Sequence, residues 1–212
     1  MVLDHCRDIV DATSLPVNAD LEGGFGDDPD CVAETIRLAA GTGLAGGSIE
    51  DATGDSDKPI YDFGLAVERI QAAADAAQAT PDGFVLTARA ENFLHGRPDL
   101  ADTIARLQAF QEAGADVLYA PGLTSLADIE TVVRNTDRPC NALPNPKIVD
   151  VSHAALSGVG VKRISVGSLL ARTAYGAMLA ATEQMQKQGS FDLADNSIPF
   201  NSLNQVCANF AG

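Results

Sequence analysis

The sequence predicts an α/β fold of the (β/α)8 barrel type, lacking its first two βα units. Two observations predict it. Short β-branched runs alternate strictly with longer amphipathic segments, one pair every roughly 25–35 residues, as parallel strands joined by right-handed helical crossovers require. Polar residues also stand at the C-terminal ends of successive strand candidates: Asp20 and Glu22, Glu50 and Asp51, Arg89 and Glu91, then Asn141. Charge converging from several strand ends is expected at a barrel mouth. An open doubly wound sheet shares the alternation but gathers such residues at one switch point, and no GxGxxG follows the first strand.

In chain order, residues Met1–Thr13 read as the tail of a helix leading into a strand. Strands are expected at Pro16–Leu21, Ala45–Glu50, Phe84–Arg89, Val117–Ala120, Pro139–Leu143 and Arg163–Val166. Between and after them lie amphipathic helices at Cys31–Gly41, Tyr61–Ala79, Asp99–Ala113, Ser125–Asn135, Asp150–Ser157 and Ser168–Gly189. Asp99 and Asp102 place negative charge at a first turn, and Gly114 follows the last turn of that helix. These are six βα units where a barrel has eight. A truncated gene product, a fragment or a completing partner chain would each account for the difference. Residues 1–190 are expected to form the partial barrel and 191–212 a tail with a short helix, in which Leu203, Val206 and Phe210 fall at helical spacing.

The chain has 212 residues, 46% of them hydrophobic and 20% charged, and no Gly/Ser- or Pro-rich tract divides it. Its net charge of −15 argues against nucleic acid and against anionic membrane surfaces, which both need a basic face. An anionic small-molecule substrate is compatible with that charge if a metal or an arginine reverses the local field. The cysteines, Cys6, Cys31, Cys140 and Cys207, form no CxxC pair, so they read as reduced, packed thiols. With no secretory signal pattern and no apolar run of about 18 residues, the expected location is the cytoplasm.

Five segments carry candidate chemistry. In "VNADLEGGFGDD", Asp20 and Glu22 are two apart and face the same side if the strand persists, offering Mg2+ the hard oxygen ligands it prefers. The same spacing suits a solvated acidic loop capping the next helix. In "GGSIEDATGDSDKP", Glu50 ends a strand and the polar stretch to Pro59 is either a lid or a plain surface loop. In "VLTARAENF", Arg89 can clamp a carboxylate or phosphate bidentately with Glu91 steadying it, or the two can be a structural pair. Asn141 in "CNALPNP" offers an amide to a substrate oxygen, or simply serves a turn. Finally Gly167 and Ser168 open a helix, as an anion site on free N–H groups or as an ordinary N-cap.

Taken in order, "ADLEGGFG", "GGSIED", "TARAENF", "AGADVLYAPG", "PCNALPNP" and "GVKRISVGSLLARTA" resemble the isocitrate lyase/phosphoenolpyruvate mutase superfamily across roughly residues 8–185. The resemblance implies a metal shell of Asp20, Glu22 and Glu50, with Mg2+ (or Mn2+) contacting the oxygens of an α-keto acid. It implies Arg89 on the substrate carboxylate, Asn141 as a strand-end polar contact, and a homo-oligomer. Catalytic roles fall to Arg89, Glu50 and Asn141, and substrate binding to Arg89, Asn141, Gly167 and Ser168. The substrate is expected to be a small α-keto acid or dicarboxylate, cleaved or rearranged at a C–C or P–C bond through an enolate.

There are departures from the family pattern. The loop after Glu50-Asp51 reads "ATGDSDKPIYDFG", without the cysteine, histidine and paired lysines of true isocitrate lyases, so isocitrate cleavage is not expected. Ala120-Pro121-Gly122 stands where the family often has Glu or His. The rival expectation is a non-catalytic metal- or carboxylate-binding or scaffold remnant, inactive for want of the N-terminal units.

Overall fold

The structure, a computed structural model, describes residues 2–144, 151–193 and 197–209. It divides into two compact units, residues 1–165 and 166–212. Asn145, Pro146 and Asp150, named in the sequence motifs and helix expectations, lie outside the described residues, as does Phe210.

The first unit is one parallel sheet of six strands in the order β1-β2-β3-β4-β5-β6. The strands are β1 (Asn18–Asp20), β2 (Gly46–Glu50), β3 (Val85–Arg89), β4 (Val117–Tyr119), β5 (Cys140–Ala142) and β6 (Arg163–Ile164). Helix α1 (Val2–Asp11) precedes them; α2 (Pro29–Ala40), α3 (Phe63–Gln78), α4 (Leu100–Glu112), α5 (Leu126–Arg134) and α6 (His153–Gly158) make the crossovers. Each expected strand contains an observed one. The sheet curls: the Arg163 guanidinium of the last strand donates to Asn18 Oδ1 of the first at 3.3 Å.

Local chemistry sets the element ends. Pro29 starts α2 behind Asp28, whose carboxylate accepts from Asp30 N, and Asp99 caps α4 through Asp102 N at 3.0 Å. Gly114 takes φ +103 between α4 and β4, where a Cβ would also stand 2.9 Å from Ala74, so both backbone and space exclude a larger residue.

Period-two alternation gives the sheet two different faces. Leu21, Ile49, Leu86, Ala88, Leu118, Cys140 and Ala142 are buried outward in one core with Val32, Ile36, Ile70, Leu107, Phe110, Ile129 and Val132 of the helices. The intervening positions, Asp20, Ser48, Glu50, Thr87, Arg89, Tyr119, Asn141 and Arg163, face the concave side and are mostly polar. Register places Glu50 beside Arg89, Arg89 beside Tyr119, Tyr119 beside Asn141 and Asn141 beside Arg163, as one row.

Past the strand ends, buried Asp51 ties the row to α4. Its carboxylate accepts from Arg106 Nη1 at 3.0 Å and from Glu91 N at 2.8 Å, while Arg106 Nε reaches Asp102 at 2.8 Å. Burial raises the Asp51 pKa against the pull of the Glu91 backbone and of Arg106.

The second unit holds α7 (Leu169–Gln188), closed by Gly189 in a left-handed conformation, and α8 (Phe200–Asn209). None of α7's residues is buried; Leu170, Tyr175, Met178 and Leu179 are all exposed.

Arg106→Ala strands the Asp51 carboxylate in the interior, and breaking such a buried pair costs about 3–5 kcal/mol. Urea unfolding is expected to show a loss of that size, whereas a loss under about 1 kcal/mol, the value of a surface pair, would contradict the buried-pair account.

Candidate active site

Asp20, Glu50 and Arg89 come from three adjacent strands, and Glu91 lies just beyond the third. Arg89 Nη1 meets Asp20 Oδ2 at 2.6 Å, Nη2 meets Glu50 Oε2 at 2.9 Å and Nε meets Glu91 Oε1 at 2.8 Å. Tyr119 covers the guanidinium, its ring centroid 5.4 Å from Arg89 Cζ. The Arg89 side chain is 11% exposed, Glu50 17% and Glu91 2%, but Asp20 is 61% exposed at the open rim.

One guanidinium against three carboxylates leaves a charge of −2 when all are ionised. The protonation states register this crowding. Burial raises the Glu50 pKa; Arg89 opposes the rise while Asp20, Glu22 and Asp51 add to it. Burial pushes the Glu91 pKa up to about 7, only partly countered by Arg89. Burial disfavours charged Arg89, yet Glu91, Glu50 and Asp20 more than compensate and raise its pKa.

Glu22 is placed differently from the persistent-strand expectation. The strand ends at Asp20, whose Oδ1 accepts from Glu22 N at 3.0 Å and bends the chain into a turn. Glu22 has φ +50 and Phe25 φ +59, conformations that cost of order 1 kcal/mol or more each. Arg69 of α3, 1% exposed, holds this turn by donating to the carbonyls of Gly23, Gly26 and Asp27. It also stacks on Tyr61, 4.1 Å from the ring centroid. Glu22 therefore lines a neighbouring cleft of about 240 Å³ together with Glu50 and Tyr61.

The fit to a divalent ion rests on Asp20 and Glu50. Their oxygens converge on two nitrogens of one guanidinium, and both are hard donors in an over-negative site. Among the described residues no group of three or more His, Cys, Asp or Glu is arranged to hold a metal ion. Two carboxylates with water and substrate oxygens suffice for Mg2+, so this pair fits the ion, with Glu22 beside it rather than completing a triad.

Asn141 is 5% exposed on the concave face. Its Nδ2 donates to Ser165 Oγ at 2.9 Å, while its Oδ1 is buried without a partner. Gly167 (φ +51) and Ser168 belong to the second unit, and Ser168 makes no side-chain cap. The polar loop after Glu50 is pinned at its base. Ala52 and Ile60 form an antiparallel bridge, Thr53 N donates to Pro59 O at 3.1 Å, and Tyr61 Oη donates to Asp27 at 2.6 Å.

The sequence reading missed Arg69, Tyr119 and Arg163. Arg69 looks like one more charge on a helix. Tyr119 and Arg163 could have been found by continuing the alternation that marks Arg89 across the last three strands.

The phosphoenolpyruvate phosphomutase family profile matches residues 1–186. The crystal structure of a Burkholderia cenocepacia J2315 protein, described only as a lyase/mutase, superposes with a TM-score of 0.93 at 53% identity, covering 99% of this chain and 74% of that one. The 2-methylisocitrate lyase of Escherichia coli is 39% identical over 132 residues, 59% of this chain and 43% of that enzyme. The phosphonopyruvate hydrolase of Variovorax sp. is 29% identical over 209 residues, 93% of this chain and 70% of the hydrolase.

A raised pKa at Glu91 has a consequence for stability. The neutral carboxyl is favoured in the folded state, so its contribution is fully present below the ordinary value of 4.5 and is lost as pH rises through about 7. The stability difference between the wild type and Glu91→Gln, measured by urea unfolding, should therefore shift against the wild type across that window. A difference independent of pH would contradict the assignment.

Proposed function

We propose that this chain, which belongs to the phosphoenolpyruvate phosphomutase family, is a Mg2+-dependent lyase or mutase acting on a small α-keto acid. The bond broken or moved is the C–C or P–C bond next to the carbonyl, with an enolate formed on the way. One observation carries the reading: Arg89 at the strand ends shares its three donor nitrogens among Asp20, Glu50 and Glu91.

Arg89 is the natural seat for the substrate carboxylate, because a planar guanidinium pairs with it bidentately. Glu91 holds Nε and so fixes the plane in which Nη1 and Nη2 face outward. Tyr119 keeps water from one side of that plane. Asp20 and Glu50 supply the carboxylates for the metal. Bound there, Mg2+ (or Mn2+) would act as a Lewis acid for the negative charge that develops on the keto oxygen. Asn141, at the same level of the sheet, offers an amide to a substrate oxygen. Gly167 and Ser168 remain the proposed anion-binding helix start.

The phosphonopyruvate hydrolase and 2-methylisocitrate lyase relatives favour α-keto acid or related dicarboxylate chemistry, although the chain spans only part of each. A cytoplasmic homo-oligomer belongs to the same reading, supported by the apolar side chains that α7 exposes.

A non-catalytic carboxylate- or metal-binding role is the second reading. It is favoured by the state of Arg89, whose nitrogens already have carboxylate partners.

Turnover of oxaloacetate and phosphonopyruvate, with and without Mg2+, separates the two. The enzyme reading expects metal-dependent turnover that Asp20→Ala reduces by a factor of about 100 or more, the size of losing one essential electrostatic group, in a protein that still folds by circular dichroism. Absence of turnover in the wild type, or turnover unchanged in Asp20→Ala, would refute it.

A further inference from the structure

Cleavage through an enolate ends when the enolate carbon receives a proton, so the lyase form of the function proposed above requires an acid beside the substrate. Side chains that carry protons in catalysis are those of His, Glu, Asp, Lys, Tyr and Cys. The loop after Glu50 has neither cysteine nor histidine. In the concave row, the described side chains of these kinds are Asp20, Glu50 and Tyr119. Both carboxylates are engaged with Arg89, as is Glu91 beyond the strand. Tyr119 is left.

Tyr119 ends a directed chain of hydrogen bonds. Asn141, its register neighbour on β5, is 5% exposed and donates Nδ2 to Ser165 Oγ at 2.9 Å. The Ser165 hydroxyl bonds Tyr119 in the sense that favours the phenolate, donating its proton to the phenol oxygen. A phenol that accepts in this way keeps its own O–H proton to give. Among the described residues no other side chain or carbonyl takes that proton.

On its other side Tyr119 is the register neighbour of Arg89, whose guanidinium carbon lies 5.4 Å from the ring centroid. A phenolate formed here is therefore supported by one cation and one hydroxyl donor. Burial outweighs both, since the residue is 8% exposed, and it holds the Tyr119 pKa above its ordinary value of 10.0. The phenol thus keeps its proton until a strong base such as an enolate carbon claims it.

We infer that Tyr119 is the catalytic acid of the site, its hydroxyl protonating the enolate carbon of a keto acid whose carboxylate sits on Arg89, with Ser165 and Asn141 as positioning residues that aim it. In this step the enolate's C=C pair becomes the new C–H bond and the keto C=O reforms. The Oη–H bond breaks, its pair stays on Oη as a phenolate, and solvent returns the proton between turnovers. The inference rests on the keto-acid reading above and adds to it the source of the proton.

Pyruvate in D2O isolates the step, because exchange of its methyl protons passes through the enolate and breaks no bond but C–H. The full chain with Mg2+ should exchange them, followed as loss of the methyl signal by proton NMR. Tyr119→Phe keeps the ring over Arg89 and should slow exchange by about 100-fold or more, while calorimetric affinity for oxalate with Mg2+ stays within about twofold. Ser165→Ala, which removes one hydrogen bond to the phenol, should slow it about tenfold at the same oxalate affinity. It carries the test if Tyr119→Phe does not fold. If oxalate fails to bind the wild type, the keto-acid reading itself fails. Three outcomes with oxalate bound overturn only the role of Tyr119: no exchange by the wild type, exchange at the wild-type rate in each folded variant, or oxalate affinity lost in parallel with exchange.

Discussion

A single guanidinium organises the concave face of this sheet. Arg89 is fixed at Nε by Glu91 and shared at its outer nitrogens between Asp20 and Glu50, so one cation brings together groups from β1, β2 and the end of β3. Each carboxylate would be repelled by the others without it. Position on a parallel sheet makes this possible, because in-register neighbours point the same way and stand one strand spacing apart. The excess of negative charge that remains is the chemical character of the site. Burial, reinforced by the neighbouring carboxylates, makes Glu50 and Glu91 resist ionisation, and the excess charge is why a small divalent cation would be welcome there.

The fold supports this cluster from behind. The outward residues of the same strands are buried apolar, and the αβ turns deliver each strand at the right level. Two further arginines act purely as braces. Arg106 anchors the Asp51 carboxylate next to Glu50, and Arg69 grips the carbonyls of the glycine-rich turn after Asp20. Neither reaches the carboxylate cluster on the concave face, yet each fixes the backbone from which one of its carboxylates projects. The three arginines thus divide the work: one gathers the cluster and two hold the frame.

Most of the fold was legible because its signals are local. The strands announced themselves as β-branched runs ending in charge, and Asp99 and Gly114 marked the ends of α4. The convergence of Asp20, Glu50 and Arg89 was legible for the same reason: parallel strands carry their C-terminal residues to one rim. Glu22 was not, because its placement turns on a backbone bend that Asp20 itself caps, and the D-x-E spacing cannot say where a strand stops. Arg69 was hidden since its partners are carbonyls of a turn 42 or more residues earlier, contacts that no periodicity encodes. Arg163 lies in plain alternation with Ser165, but the glycine and helix start that follow, Gly167 and Ser168, carry the stronger local signal.

We propose that Asp20 and Glu50 form a metal grip whose present occupant is Arg89, so that metal and substrate carboxylate bind together. Calorimetric titration of oxalate, an enolate mimic, into the full chain with and without Mg2+ tests it most directly. Oxalate should bind in the presence of Mg2+ and bind at least about tenfold more weakly in its absence, the size of one charge-assisted contact. Equal affinity with and without the ion, or no binding in either case, would contradict the account.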